Sequence, residues 1–248
     1  MDRHPVRLVV TGDLQRGRLG VLLRLLPLLA VGIVLTVWTM VAGVLGLVNW
    51  LSVAATGRQA GPVGRWLAAY VRWHARAYAY GTLVAGPTPF VRLDDAYPVD
   101  LQIDLAGRQR RLGALLRPLL AVPALVAATS LGGFFLQRFR EDTIDSTLQL
   151  QSGGALLAVA VLGWLAALAT GQMPEGLRNL GAWVVGYAAQ ALAYLGCLTD
   201  RYPQLAPFTA EQAAVVPGHP VALAAELDPR RSRLVVLFRL PLLVPHLV

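Results

Sequence analysis

Apolar residues in this chain alternate with polar ones over short stretches and then gather into long runs, and the two patterns recur in the same order. Val99, Leu101 and Ile103 alternate with Asp100, Gln102 and Asp104, as in a half-buried strand. Val6, Leu8 and Val10 repeat the alternation near the start, and Val221 and Leu223 repeat it more blandly near the end. A proline precedes each stretch, which suits a first strand residue or an edge. Basic turns containing Gly12-Asp13, Gly107 and Asp228-Pro229 follow. The first long run, residues 25–55, holds one asparagine and no charge over 31 residues. A single span takes about 20 residues, so this run is long for one upright helix and short for two. The second run, residues 118–136, breaks at Gln137-Arg138-Phe139-Arg140-Glu141-Asp142 and resumes over residues 153–169, which predicts a helical hairpin. The first run is expected to match it as a hairpin of shorter helices that dip in and return.

A different helix closes the unit. Over residues 62–84, at 100° per residue, Arg65, Arg72 and Arg76 share one stripe, with Trp66, Trp73 and Tyr80 in a second stripe beside it. Arginine and aromatic residues flanking an apolar face predict an amphipathic helix lying in the membrane interface. In the second copy Asn179 and Gln190 stand where Arg65 and Arg76 do. Residues 180–198 are also long enough to span, so an ordinary transmembrane helix stays open there.

These patterns are copies of one unit. The segments from His4, Tyr97 and His219 align without a gap, placing Arg18-Leu19, Arg111-Leu112 and Arg233-Leu234 at one position. Six residues further stand Arg24, Arg117 and Arg239, and six beyond those Pro123 and Pro245, with Ala30 in the first copy. The offset between copies one and two is 93 here and 114 downstream, where Trp50 matches Trp164 and Tyr80 matches Tyr194, so copy two carries 21 extra residues. The organisation expected is residues 1–92, residues 93–214 with the insertion in the hairpin, and residues 215–248 as the start of a third, truncated unit. A fragment is the favoured reading of that last piece.

Composition narrows the class. The chain is 56% hydrophobic and 15% charged, with a mean hydropathy of +0.55, well below the roughly 25% charged of an ordinary soluble domain. Disorder and a disulfide scaffold are both excluded, the latter by the single cysteine, Cys197. All 22 basic residues are arginine against 14 acids, giving +8. They stand beside apolar runs, a pattern that suits anionic lipid rather than nucleic acid. Residues 56–117 carry nine arginines against four acids, whereas residues 137–152 carry two against three. The positive-inside rule then places the loop around 138–145 outside and the N-terminus and most loops on the cytoplasmic side of a multi-pass inner-membrane protein.

The motifs His4-Pro5-Val6, Trp50-Leu51, Thr56-Gly57-Arg58, Ala193-Tyr194-Leu195 and Leu198-Thr199-Asp200-Arg201-Tyr202-Pro203 resemble the bacterial membrane-protein family catalogued as domain of unknown function 4389. The resemblance covers nearly the whole chain, and the first copy departs from it at Ala79-Tyr80-Gly81 and Gly86-Pro87-Thr88-Pro89. It implies a membrane class and no mechanism.

The fold class expected is therefore a mainly α integral membrane protein of tandem units. Each unit would hold a short strand, a transmembrane or re-entrant helical hairpin and an amphipathic interfacial helix, with a small extramembrane β element. Arg18, Arg24, Arg111, Arg117, Arg233 and Arg239 are the candidates for lipid headgroups or a partner, with headgroup snorkelling as the simpler role. Pro123 and Pro245 are expected to kink their helices. Tyr97 takes the repeat position of His4 and His219, which favours packing or a turn over metal ligation. No cofactor or metal is expected, and no catalytic constellation is present. The function expected is a non-enzymatic scaffold or accessory subunit at the cytoplasmic membrane surface, associating with the bilayer, a membrane protein or a second copy. The alternative is a lipid- or amphiphile-binding or transport protein using the repeated arginines.

Overall fold

A computed structural model describes residues 4–10, 14–90, 97–105, 107–132 and 154–204. All lie in one compact unit, Met1–Pro207, and a second unit, Phe208–Val248, lies outside the described residues. The third copy, with Arg233, Arg239 and Pro245, and the loop over 137–152 are therefore outside them too. The described chain is mainly helical: β1 (Val6–Val10), α1 (Arg18–Leu23), α2 (Leu25–Thr56), α3 (Gly61–Gly81), β2 (Val99–Ile103), α4 (Arg111–Gly132), α5 (Gly154–Thr170) and α6 (Glu175–Leu195).

The first two alternating stretches form the strands expected of them, and the third, at Val221 and Leu223, lies outside the described residues. β1 and β2 pair antiparallel, with Leu8 opposite Leu101 and Val6 opposite Ile103. Leu8 and Leu101 occupy the same repeat position, so the register centres a pseudo-two-fold axis on that pair. The rest of the fold obeys the same axis. Isolated bridges join Gln15 to Gln172 and Arg58 to Arg108, two sets of equivalent residues. Gly57 and Gly171 end α2 and α5 in the left-handed region, at φ 74° and 78°, where glycine avoids the Cβ penalty. Leu83 and Cys197, also equivalent, take φ 62° and 56° without being glycine.

The uncharged first run is one helix and does not turn back, which corrects the expected hairpin. Arg24, between α1 and α2, keeps helical angles (φ −65°, ψ −23°), and Leu28 N–H bonds to its carbonyl. The combined helix Arg18–Thr56 has 39 residues, about 58 Å of rise. A continuous α-helix has no room for a reversal, and nothing in an uncharged run forces one.

The second copy follows the same path in two pieces. At one end Val53 of α2 packs with Ala114 of α4, Cys197 and Trp50. At the other, Val21 of α1 packs with Ala167 of α5, Leu83 and Trp164. Val21 and Val53 are roughly 48 Å apart along the helix, so α4 and α5 reach both only by running on end to end. Their junction agrees: a Cβ on Gly154 would press on the Ser130 and Leu131 carbonyls at the end of α4. The 21-residue insertion is thus residues 133–153, placed between the halves of an otherwise continuous helix. We expect a chain lacking residues 133–153 to fold with its melting temperature within about 5 °C of the parent and undiminished helix content by circular dichroism. A hairpin would lose its turn in that deletion and fail to fold.

Helices α3 and α6 pack along α2 and α4 inside each copy through matching clusters. Val31, Trp73 and Ala77 form one, with Leu35 and Trp38 against it, and Ala124, Ala128, Tyr187 and Ala191 form the other. Helix α3 also packs against β2, and α6 against β1. The two copies are therefore interlocked in one body: each long helix packs on its own amphipathic helix and, at its ends, on the other copy.

Candidate functional site

The repeated arginine is the feature most marked in the sequence, and the structure turns it inward. Arg24 and Arg117 are buried, which corrects both the headgroup and the snorkelling expectations for them. Arg24 Nη1 donates to the carbonyls of Tyr80 (2.9 Å) and Ala85 (3.1 Å), and Nη2 donates to Gly86 (2.6 Å). Those carbonyls lie at and just past the end of α3, where backbone acceptors lack helical partners and a cation is favoured. The guanidinium also sits 4.3 Å from the centre of the Tyr80 ring, within cation–π range. Arg117 repeats the stacking on the equivalent Tyr194 at 4.9 Å. Its Nη1 donates to Gln109 Oε1 (2.7 Å), and Gln109 Nε2 donates to the Cys197 carbonyl (2.7 Å).

Gln109 has a repeat mate in Arg16, whose Nε and Nη2 donate to the Leu83 (3.3 Å) and Val84 (3.2 Å) carbonyls. The left-handed residues Leu83 and Cys197 are thus held by one structural device in both copies. Neither Arg16 nor Gln109 stood out in the sequence. The available signal was a polar residue at the same offset of 93 in both copies.

The stripe on α3 is likewise spent inside the protein. Arg76 is 2% exposed, lies 3.7 Å from Asp100 and stacks 5.0 Å from the centre of the Tyr97 ring. Arg72 Nε donates to the Leu101 carbonyl (3.0 Å), and Gln190, the mate of Arg76, donates to the Val6 carbonyl (3.1 Å). Trp73 and Tyr80 are buried, and the Trp38 ring meets both Trp73 (5.3 Å) and Trp66 (5.8 Å) at a tilt. Only Arg65 faces outward from this set, with Trp66 half-buried. The expected interfacial helix is therefore a core helix. Its alanines allow close packing, and its arginines tie it to the sheet. Pro123 lies on the exposed side of α4, which continues as helix through it. His4 shapes the strand entrance, its Nδ1 accepting the Val6 N–H at 3.1 Å.

Arg18 and Arg111 are the sequence candidates that remain exposed. Arg18 Nη2 donates to the Ala169 carbonyl at the end of α5 (2.8 Å). Arg111 stands beside Gly57 at the opposite end, with Arg58, Arg108 and Arg110, all exposed. The Arg58–Arg108 backbone bridge draws two of these like charges together, and none of the four ion-pairs with a described residue. The same bridge at the other end joins Gln15 to Gln172, so the two ends share a backbone and differ in charge.

Between the ends, the long helices are fixed by a single stripe. Val21, Arg24, Val31, Ala42, Asn49 and Val53 are buried on α1–α2, while Leu26, Leu29, Ile33, Val37, Met40, Val44, Leu47 and Leu51 are exposed. On the other copy Leu112, Leu115, Leu119, Val122, Val126, Leu162 and Leu165 are exposed. Among the described residues two helices, Arg18–Thr56 and Arg111–Gly132, are long and apolar enough to cross a membrane.

A family model matches residues 18–91 and 151–208, just over half of the chain. The chain belongs to the family described as a domain of unknown function, DUF4389. The first DUF4389 segment covers α1 to α3 and the second covers α5 and α6, in keeping with tandem copies. No curated protein and no solved structure matches the chain.

His74 lies deep in this DUF4389 fold, stacked on Tyr78 (4.5 Å) beside a void of about 10 Å3, with its repeat mate Ala188 across the void. Burial pushes its pKa down to about 3. The unfolded chain, with an ordinary value near 6.5, therefore binds a proton that the folded chain refuses between those limits. Stability is expected to be full above pH 6.5 and to fall by up to about 1.4 kcal/mol per pH unit below it. His74→Leu should flatten that slope in melting curves taken from pH 7 to pH 4.

Proposed function

We propose that the protein is a non-enzymatic, membrane-embedded scaffold or accessory subunit at the cytoplasmic face of the inner membrane. The observation that carries this reading is the pair of long helices, whose outward faces are uncharged and exposed while their repeated arginines are paired inside. An apolar surface of this extent marks a membrane or protein contact rather than a water-facing wall. The alternative, lipid handling through Arg24 and Arg117, would require guanidinium groups that already donate within the fold. The scaffold reading therefore takes precedence.

The test is purification from the native membrane in a mild detergent, followed by native mass spectrometry. A stoichiometric protein partner or a second copy supports the scaffold. A monomer retaining only lipid would replace it with the lipid-handling reading.

A further inference from the structure

The pseudo-symmetry has a consequence for how the unit meets a bilayer. The start of α1–α2 meets the end of α5, and its end meets the start of α4, so the two long helices run antiparallel. A two-fold axis that exchanges neighbouring antiparallel helices is perpendicular to both and passes midway between them, level with their midpoints. The sheet sits on that axis, because its register is centred on Leu8 and Leu101. Helices α3 and α6 separate it from the long helices, and its outer residues Gln102 and Asp104 are exposed.

If the long helices crossed a bilayer upright, their midpoints would lie at its centre. The polar sheet edge would then lie at the same depth, where unpaired polar groups are costly. If they lie along the membrane plane, the apolar faces meet acyl chains, the sheet reaches water, and both helix ends share one depth. The charges at the ends fit this second placement. Exposed Arg18 lies at one end and exposed Arg58, Arg108, Arg110 and Arg111 at the other, while the 31 residues between carry no outward charge. Basic residues bordering an apolar face are placed to meet anionic headgroups at a single surface.

We infer that the described residues of this unit dock on one face of an anionic bilayer, with α1–α2 and α4–α5 lying along its plane and the sheet facing water. This rests on the membrane reading above and gives it an orientation. The test is single-cysteine labelling of the full chain in native membranes with an impermeant maleimide, using right-side-out and inside-out vesicles. Suitable positions are Gly17 and Gly107, where an added Cβ meets nothing within 4 Å, and exposed Gln102. The chain without an added cysteine sets the background from buried Cys197.

The expected result is labelling of all three positions from the same side only. Labelling of Gly17→Cys and Gly107→Cys from opposite sides would show that the helix crosses and overturn the inference. So would a Gln102→Cys variant protected from both sides. An alkaline carbonate wash separates the two proposals. A pelleted chain with opposite-side labelling sinks the orientation alone, whereas a chain released by carbonate sinks the membrane reading with it.

Discussion

Arg24→Met is expected to lower the melting temperature of the detergent-solubilised protein by roughly 8–15 °C, and to do so whatever lipid is added. The guanidinium serves three carbonyls at and just past the end of α3, and the substitution removes all three charge-assisted bonds, leaving the Tyr80 carbonyl its backbone N–H partners. Losing a set of charge-assisted bonds of this kind costs about 3–5 kcal/mol. A body of this size shifts by about 2–4 °C for each kcal/mol. Arg24→Lys should fall between the two, because a point charge cannot reproduce the planar fork. Arg117→Met should cost less, since its Nη1 donates to the Gln109 side-chain oxygen where Arg24 serves three carbonyls. Circular dichroism melts in two detergents, each with and without phosphatidylglycerol, would check the series. An unchanged melting temperature with a loss of bound anionic lipid would restore the headgroup role.

The inward turn of Arg24 also shows where sequence reasoning stopped. The repeat, its offsets, the strands and the 21-residue insertion were all legible, because each is a matter of pattern and spacing. An arginine beside an apolar run, however, looks the same whether it snorkels or bonds inward. The carbonyls that decide the matter are 56 to 62 residues away. The path of residues 25–55 was illegible for a related reason. An uncharged run records burial in something apolar and carries no mark of direction. A break in copy two therefore read as a turn, when it is an insertion between collinear halves. The interlock of the copies left no signal either, because its contacts are Val53 with Ala114 and Val21 with Ala167, ordinary small apolar pairs.

The same ambiguity between lipid and protein surroundings makes Trp73 the most informative aromatic residue. In the sequence it belongs to a stripe with Trp66 and Tyr80, which an interfacial helix would present to headgroups. In the structure it packs against Val31 and Ala77 and meets the Trp38 ring at a tilt, 5.3 Å between centres, with 6% of its surface exposed. Truncating a core tryptophan costs about 3–5 kcal/mol, because the void is only partly closed by its neighbours. Trp73→Ala is therefore expected to destabilise the fold about as much as Arg24→Met does. Trp66→Ala should cost much less, since that ring is only half-buried. Tyr187→Ala, at the repeat mate of Trp73, should fall near Trp73→Ala, because it joins the matching cluster with Ala124 and Ala128. Thermal melts of the three variants in one detergent test this ordering. Equal, small losses at Trp66 and Trp73 would mean that α3 faces lipid with its aromatic stripe. A steep loss at Trp73 and Tyr187 alone would mean that the stripe is the packing seam between each long helix and its own amphipathic helix, leaving the outward leucines to meet the bilayer.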